Sequence, residues 1–164
     1  MGCGKSSVGR RLSELLCCSF IDLDDVIAER EGRSIPEIFA TEGETAFRQM
    51  ELEALKAVLK ERHTNNDIVL ALGGGAVTTE ACALMVREKT LCVYLRASVD
   101  TLVEHLAGEA AGRPMLADAD LRTRIETLMQ QRATTYEKTA HTIIDTDGKS
   151  IEELACEIGK QVAQ

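Results

Sequence analysis

The chain has 164 residues, 45% hydrophobic and 28% charged, and is expected to form a single domain over residues 1–164 with its own apolar core. Its 19 Lys and Arg face 27 Asp and Glu, a net charge of −8, which argues against a nucleic-acid or anionic-membrane surface and leaves room for a local basic pocket. Aromatic residues are few and scattered, with no Trp, so a base-stacking platform is excluded, and no apolar run approaches the ~18 residues of a membrane helix. Lys5, Arg10 and Arg11 interrupt any signal-like start.

Taken in chain order, apolar spacing predicts a helix over 6–16, a short buried strand over 18–22 and a helix over 24–31 that stops at Gly32. A short helical stretch over 35–40 precedes Gly43, and a longer helix runs from Glu44 to about Arg62. Residues 68–72 form a continuous apolar run that ends in Gly73-Gly74-Gly75, the pattern of a central strand entering a tight turn. A helix over 79–88, a strand over 91–95 and a helix over 98–106 follow. Residues 107–120 have weak periodicity and are expected to form a mobile loop. A helix over 121–133, a strand over 142–145 and a helix over 151–162 complete the chain. Strands separated by helices predict an α/β protein with a parallel sheet and helices on both faces.

Six cysteines do not make a disulfide framework: Cys17 and Cys18 are adjacent, and Cys82, Cys92 and Cys156 lie in apolar stretches. There is no Cys-x-x-Cys pair, and His63, His105 and His141 lack cysteine partners at zinc spacing. Free thiols in a reducing cytoplasm are expected, with Cys3 filling a small-residue position.

Gly2-Cys3-Gly4-Lys5-Ser6-Ser7 opens directly into the first helix and matches the second half of a phosphate-binding loop. Backbone N–H groups at such a helix start close around phosphate oxygens, a Lys reaches the outer phosphates, and the Ser hydroxyl suits Mg²⁺. The half-motif alone reads equally as a glycine-containing terminus. Asp22 and Asp24, two residues apart at a strand end, face one side and suit a metal-and-substrate site, although Asp24 or Asp25 also suits a helix cap. Arg48, Arg113 and Arg132 carry guanidinium groups that bind carboxylates and phosphates bidentately, and spacing alone leaves Arg48 and Arg132 as solvated helix-face residues. The glycine triplet 73–75 costs chain entropy, which a close backbone approach to a ligand would justify.

In this order, Gly4-Lys5-Ser6, Phe20-Ile21-Asp22-Leu23-Asp24, Gly32-Arg33-Ser34-Ile35, Gly43-Glu44 with Phe47-Arg48 and Glu51, Gly73-Gly74-Gly75, Arg113-Pro114 with Leu116, and Arg132 with Tyr136 resemble shikimate kinase over nearly the whole chain. The resemblance implies a three-layer α/β/α phosphate-loop fold with a five-stranded parallel sheet, a substrate-binding helical region here at about 24–62, and a lid at about 108–120. It implies that Gly2, Cys3, Gly4, Lys5, Ser6, Ser7 and Arg113 bind ATP, and that Ser6 and Asp22 hold Mg²⁺. Asp24 is implied as substrate ligand and base, and Arg48, Arg132, Gly73, Gly74 and Gly75 as the pocket for shikimate. Lys5, Asp24 and Arg113 are the implied catalytic residues, in an enzyme of aromatic amino-acid (chorismate) biosynthesis acting as a monomer with no nucleic-acid or membrane partner.

Two departures from the family stand out. Its first strand and the first half of its phosphate loop have no counterpart ahead of Gly4, so a gap in the sheet is expected. Leu106 stands where some members carry a basic residue before the lid, and 145–147 is the expected adenine-side loop. The alternatives are a gluconate kinase-like enzyme or a catalytically impaired nucleotide-binding or regulatory protein. The 164-residue form is expected to bind ATP weakly because Lys5 alone cannot replace backbone donors of a full loop; ordinary ATP affinity by calorimetry would overturn that expectation.

Overall fold

The computed structural model describes residues 3–61, 67–110 and 118–162. Its elements are α1 (Lys5–Leu15), β1 (Ser19–Asp22), α2 (Leu23–Glu31), α3 (Ile35–Glu61), β2 (Ile68–Ala71), a 3₁₀ turn at Ala76–Thr78, α4 (Glu80–Lys89), β3 (Val93–Arg96), α5 (Val99–Ala110), α6 (Asp118–Thr139), β4 (Thr142–Asp145) and α7 (Ile151–Val162).

Local chemistry explains most of these boundaries. Glu37 caps the start of α3, the Ser34 N–H and hydroxyl both donating to its Oε2 at 2.8 and 2.6 Å. Ser150 and Glu153 repeat the device at α7 with distances of 2.8 and 2.7 Å. The α2 helix ends on Gly32 in the left-handed region, as its sequence predicts. The two helical stretches on either side of Gly43 run into one another as α3. Gly43 itself (φ 81°, ψ 178°) breaks the helical geometry between them, a conformation that a side chain disfavours.

Two expectations change. The loop expected over 107–120 is helical at both ends, because α5 continues through Ala110 and α6 starts at Asp118. Ala107, Glu109 and Ala110 are good helix formers that prolong the preceding turn despite Gly108. The middle of the expected lid, 111–117, lies outside the described residues. The α6 helix also runs six residues past the expected end at 133, to Thr139, its last turns packing Tyr136 against the core.

The strands form two parallel pairs. Ser19–Asp22 of β1 is in register with Ile68–Ala71 of β2, and Val93–Arg96 of β3 with Thr142–Asp145 of β4. Alternation along the strands supplies both layers of the core. Val69, Val93 and Leu95, with buried Ile144 of β4, face α1 and α7, where Val8, Leu12, Leu154, Ala155 and Ile158 are buried. Ile68, Leu70, Cys92 and Tyr136 join the opposite layer, built on Leu23, Ile27, Ile38, Phe47, Leu55 and Val86. This is the expected three-layer α/β/α arrangement.

The gap expected in the sheet is present: among the described residues β2 pairs only with β1 and β3 only with β4. An apolar slot of about 460 Å³ lies between β2 and β3, lined on one side by Val8, Gly9 and Leu12 and on the other by Leu59, Val77 and Val86.

The α1–β1 contact is tight enough to test. A Cβ at Gly9 would lie 2.6 Å from Phe20 Cε2, in the stiff interior between helix and strand. Gly9→Ala is therefore expected to destabilise the fold by about 1–3 kcal/mol, the usual cost of overpacking, despite alanine's better helix propensity. The denaturant midpoint checks this, and an unchanged or higher midpoint would show that Phe20 moves aside freely.

Candidate active site

Strand carboxyl ends and helix starts converge at one edge of the molecule. Gly4 is the N-cap of α1 (φ 73°, ψ 20°), and Val8 N–H closes the first turn on the Gly4 carbonyl at 2.9 Å. The N–H groups of Lys5, Ser6 and Ser7 therefore have no acceptor within the helix and point out of its start, where the helix dipole favours an anion. Cys3 packs beside the cluster of Ala97, Leu102 and Ile125, consistent with its reading as a small apolar residue. Gly2 lies outside the described residues.

The Ser6 hydroxyl donates to Asp22 Oδ2 at 2.7 Å, joining the first turn of α1 to the end of β1. The other carboxylate oxygen, Oδ1, accepts the Asp24 N–H at 3.1 Å, which makes Asp22 the cap of α2. The cap expected at Asp24 or Asp25 thus belongs to Asp22, because α2 starts at Leu23, directly after β1. A hydroxyl and a carboxylate oxygen side by side beneath free N–H groups fit Mg²⁺, which takes one or two protein oxygens and completes its shell with phosphate and water. Among the described residues no group of three or more His, Cys, Asp and Glu forms a softer or all-protein metal cage.

Asp24 and the glycine turn approach closely. A Cβ at Gly73 would lie 2.8 Å from Asp24 Oδ1 and 3.2 Å from Glu51 Oε1, so only glycine leaves both carboxylates in place. Burial pushes the Asp24 pKa above its ordinary value, with the Asp22 charge adding to the rise and Lys5 and Arg48 opposing it. Lys5 is thereby placed within electrostatic reach of Asp24.

Arg48 is not a solvated helix-face residue. Its side chain is 18% exposed, pairs with Glu44 Oε1 at 2.8 Å and with Glu51, and lies directly over Gly75, where any Cβ would collide with the guanidinium. Glu51 is 1% exposed, and its Oε1 has no hydrogen-bond partner. Burial raises the Glu51 pKa, opposed by Arg48 and Arg132. Arg132 and Tyr136, one turn apart on α6, both donate to the Gly74 carbonyl, Arg132 Nη1 at 3.3 Å. The Tyr136 ring packs on Tyr94 with centroids 5.1 Å apart.

The structure thus brings together Lys5, Ser6, Asp22, Asp24, Arg48, Gly73, Gly74, Gly75 and Arg132, from five separate stretches of chain. Arg113 lies outside the described residues. The residue that site reasoning from sequence passes over is Glu51: its spacing three after Arg48 signals an ion pair, but not its burial. Leu106 packs with the α5–α6 cluster, which accounts for an apolar residue there. In the 145–147 loop, Asp147 Oδ1 accepts the Ser98 N–H at 3.0 Å and Asp145 pairs with Arg96, so both are tied to the end of β3.

A helix start with free N–H groups, a Lys-Ser pair, a strand-end Asp and a separate cationic pocket define a phosphate-loop phosphotransferase that acts on a small anionic acceptor. The family model described as Shikimate kinase matches residues 1–163. Shikimate kinase of Salinibacter ruber is 40% identical, the match covering 94% of this chain and 76% of the relative; that of Nitrosospira multiformis is 39% identical, covering 99% and 80%. The solved shikimate kinase from Acinetobacter baumannii in complex with shikimate superposes with a TM-score of 0.88 at 32% identity, covering 99% of this chain and 88% of that one. The chain belongs to the shikimate kinase family.

The close approaches test the site's design. Gly75→Ala is expected to displace the Arg48 guanidinium and weaken binding of the carboxylate-bearing acceptor, with a smaller effect on ATP; separate KM values for the two substrates check this. Because the folded state raises the Asp24 pKa, its protonated form is favoured and stability falls as pH rises from the ordinary carboxylate range through the folded value. Asp24→Asn is therefore expected to melt no lower than the parent at pH 7 while losing activity. A lower melting temperature would show that the charge is stabilising.

Proposed function

We propose that this chain transfers the γ-phosphoryl group of ATP to a ring hydroxyl of shikimate, giving shikimate 3-phosphate and ADP. The observation that carries the reading is the pocket around Gly73–Gly75. There Asp24 suits a hydroxyl, while Arg48 and Arg132 suit a carboxylate, at the carboxyl ends of the strands and beside the Ser6–Asp22 pair. The name of the Acinetobacter baumannii complex supports shikimate as that acceptor.

In this reading Arg48 and Arg132 clamp the acceptor's carboxylate, and the Gly73–Gly75 backbone lines the ring. Glu51 holds Arg48 from behind, so the guanidinium meets the substrate already oriented. Asp24 accepts the proton of the attacking hydroxyl on a carboxylate oxygen, the hydroxyl oxygen bonds to the γ-phosphorus, and ADP departs. Burial raises its pKa, which makes the carboxylate a stronger base than that of an exposed aspartate. Lys5 and the first-turn N–H groups of α1 receive the phosphates, Cys3, Gly4 and Ser7 belonging to the same cradle. Ser6 and Asp22 hold Mg²⁺, which when bound neutralises phosphate charge. Arg113 acts from the lid over 108–120, and residues 24–62 form the substrate-binding region; these assignments rest on the Arg113-Pro114-x-Leu116 motif and on the position of Asp24, Arg48 and Glu51 in α2 and α3. All six cysteines are free, which supports a reducing cytoplasm, and no described helix is long and apolar enough to cross a membrane. The enzyme is proposed to act as a monomer. The gluconate kinase-like and regulatory alternatives are disfavoured by a family match over nearly the whole chain.

ADP release measured across shikimate, gluconate and nucleoside monophosphates tests the assignment, with turnover expected for shikimate alone; turnover of gluconate in its place would overturn it. Arg48→Lys keeps the charge but loses the planar fork, and is expected to raise the shikimate KM by about one to two orders of magnitude. Asp24→Asn is expected to lower kcat by about two to four orders of magnitude with the fold intact by circular dichroism.

A further inference from the structure

The glycine turn after β2 is held from two directions. The Gly73 carbonyl accepts the Ala76 N–H at 3.1 Å, and the Gly75 carbonyl accepts the Thr78 N–H at 3.0 Å and the Thr78 hydroxyl at 2.6 Å. These bonds close within the turn itself. The middle carbonyl, that of Gly74, takes its donors from α6, 58 and 62 residues along the chain: Arg132 Nη1 at 3.3 Å and the Tyr136 hydroxyl. That middle peptide is the one least able to hold itself. Glycine stands at both of its ends, so no side chain resists its rotation. Gly75 sits at φ −99°, ψ −13°, a conformation that other residues also adopt; turning the peptide over carries this φ to positive values that glycine tolerates. A trans peptide points its N–H opposite to its C=O, so drawing the Gly74 carbonyl toward α6 aims the Gly75 N–H away from that helix. Among the described residues no acceptor takes the N–H of Gly74 or Gly75, which leaves both able to donate to a ligand.

The two donors are unequal. The Arg132 bond is long, and the proposed function recruits this guanidinium to the acceptor's carboxylate. Tyr136 instead brings its hydroxyl on a ring that is already fixed, packed against the main core cluster and on Tyr94 with centroids 5.1 Å apart. We infer that Tyr136 is a positioning residue for the acceptor pocket: its hydroxyl holds the Gly74–Gly75 peptide in the orientation that receives the acceptor, and keeps it there when Arg132 engages the carboxylate. It touches no reacting atom. Without the hydroxyl the peptide populates its turned-over form, and apparent affinity for the acceptor falls by the fraction of molecules left competent. Where this matters rests on the acceptor pocket proposed above; the hold on the peptide itself is read without a ligand.

Tyr136→Phe in the full 164-residue chain removes the hydroxyl and keeps the ring, and Tyr94→Phe removes the hydroxyl from the other ring of the pair. Relaxation dispersion is measured at the backbone amides of Gly74 and Gly75 in the ligand-free protein, with Gly32 as reference. Tyr136→Phe is expected to add exchange broadening at Gly74 and Gly75 and none at Gly32. It is also expected to raise the shikimate KM about three- to tenfold, with kcat and the ATP KM within about twofold of the parent. Tyr94→Phe is expected to change none of these. Amides of Gly74 and Gly75 that relax as in the parent overturn the inference, and so does an equal effect of Tyr94→Phe, which would assign the change to ring packing. Broadening with an unchanged shikimate KM overturns the positioning role, and a joint rise in both KM values does the same by showing a general loss of structure. Failure of the substrate reading looks different: the parent turns over no shikimate, while broadening confined to Tyr136→Phe still supports the hold on the peptide.

Discussion

A guanidinium held over a glycine organises this molecule's candidate site. Arg48 lies flat where a Gly75 side chain would be, and it is kept there by Glu51, one turn along α3 and almost wholly buried. Burying a carboxylate is costly unless it is paired, and here the pair must offset that cost with one oxygen of Glu51 lacking a hydrogen-bond partner. Such an arrangement is poor as a device for stability alone. It makes sense as a way of aiming a cation, since a guanidinium already oriented needs little further ordering when an anion arrives.

The rest of the site is arranged about the same turn. Gly73 leaves room for Asp24, Gly75 for Arg48, and the Gly74 carbonyl takes donors from both Arg132 and Tyr136. Three packed elements, α2, α3 and α6, thus meet on three consecutive backbone positions that carry no side chains of their own. Two guanidinium groups, Arg48 and Arg132, approach this turn in a chain whose net charge is −8, so the proposed local anion pocket is compatible with overall acidity. The framework beneath is held by α1 and α7, whose apolar residues touch β2 on one side of the slot and β3 and β4 on the other.

Much of this is legible in the residues. The four strands, the stop at Gly32, the break at Gly43, and the placing of Lys5 and Ser6 at a helix start and of Asp22 and Asp24 at a strand end all follow from periodicity and local motif chemistry. The Ser-x-x-Glu caps at Ser34 and Ser150 carry an equally local signature, because both partners lie within one turn. Other features were hidden because they depend on what packs across from them. Arg48 and Arg132 look like surface residues by spacing, and it is the glycine turn arriving from β2 that covers the Arg48 guanidinium and accepts from Arg132. Similarly, Asp22 takes the capping role from its neighbours because α2 starts at Leu23, directly after β1.

Taken alone, the sequence determined the alternation of strands and helices, the family likeness and the identity of nearly every polar group in the site, since these rest on residue type and short-range spacing. The tertiary structure decided which of those groups touch. It buried Glu51, turned Arg48 inward, set two carboxylates against Gly73, and left two strand edges facing one another across an apolar slot. The physical reason is that burial and close approach are properties of pairs of surfaces distant in the chain. Residues 48, 75 and 132 come together only when α3, the glycine turn and α6 occupy the same few ångströms.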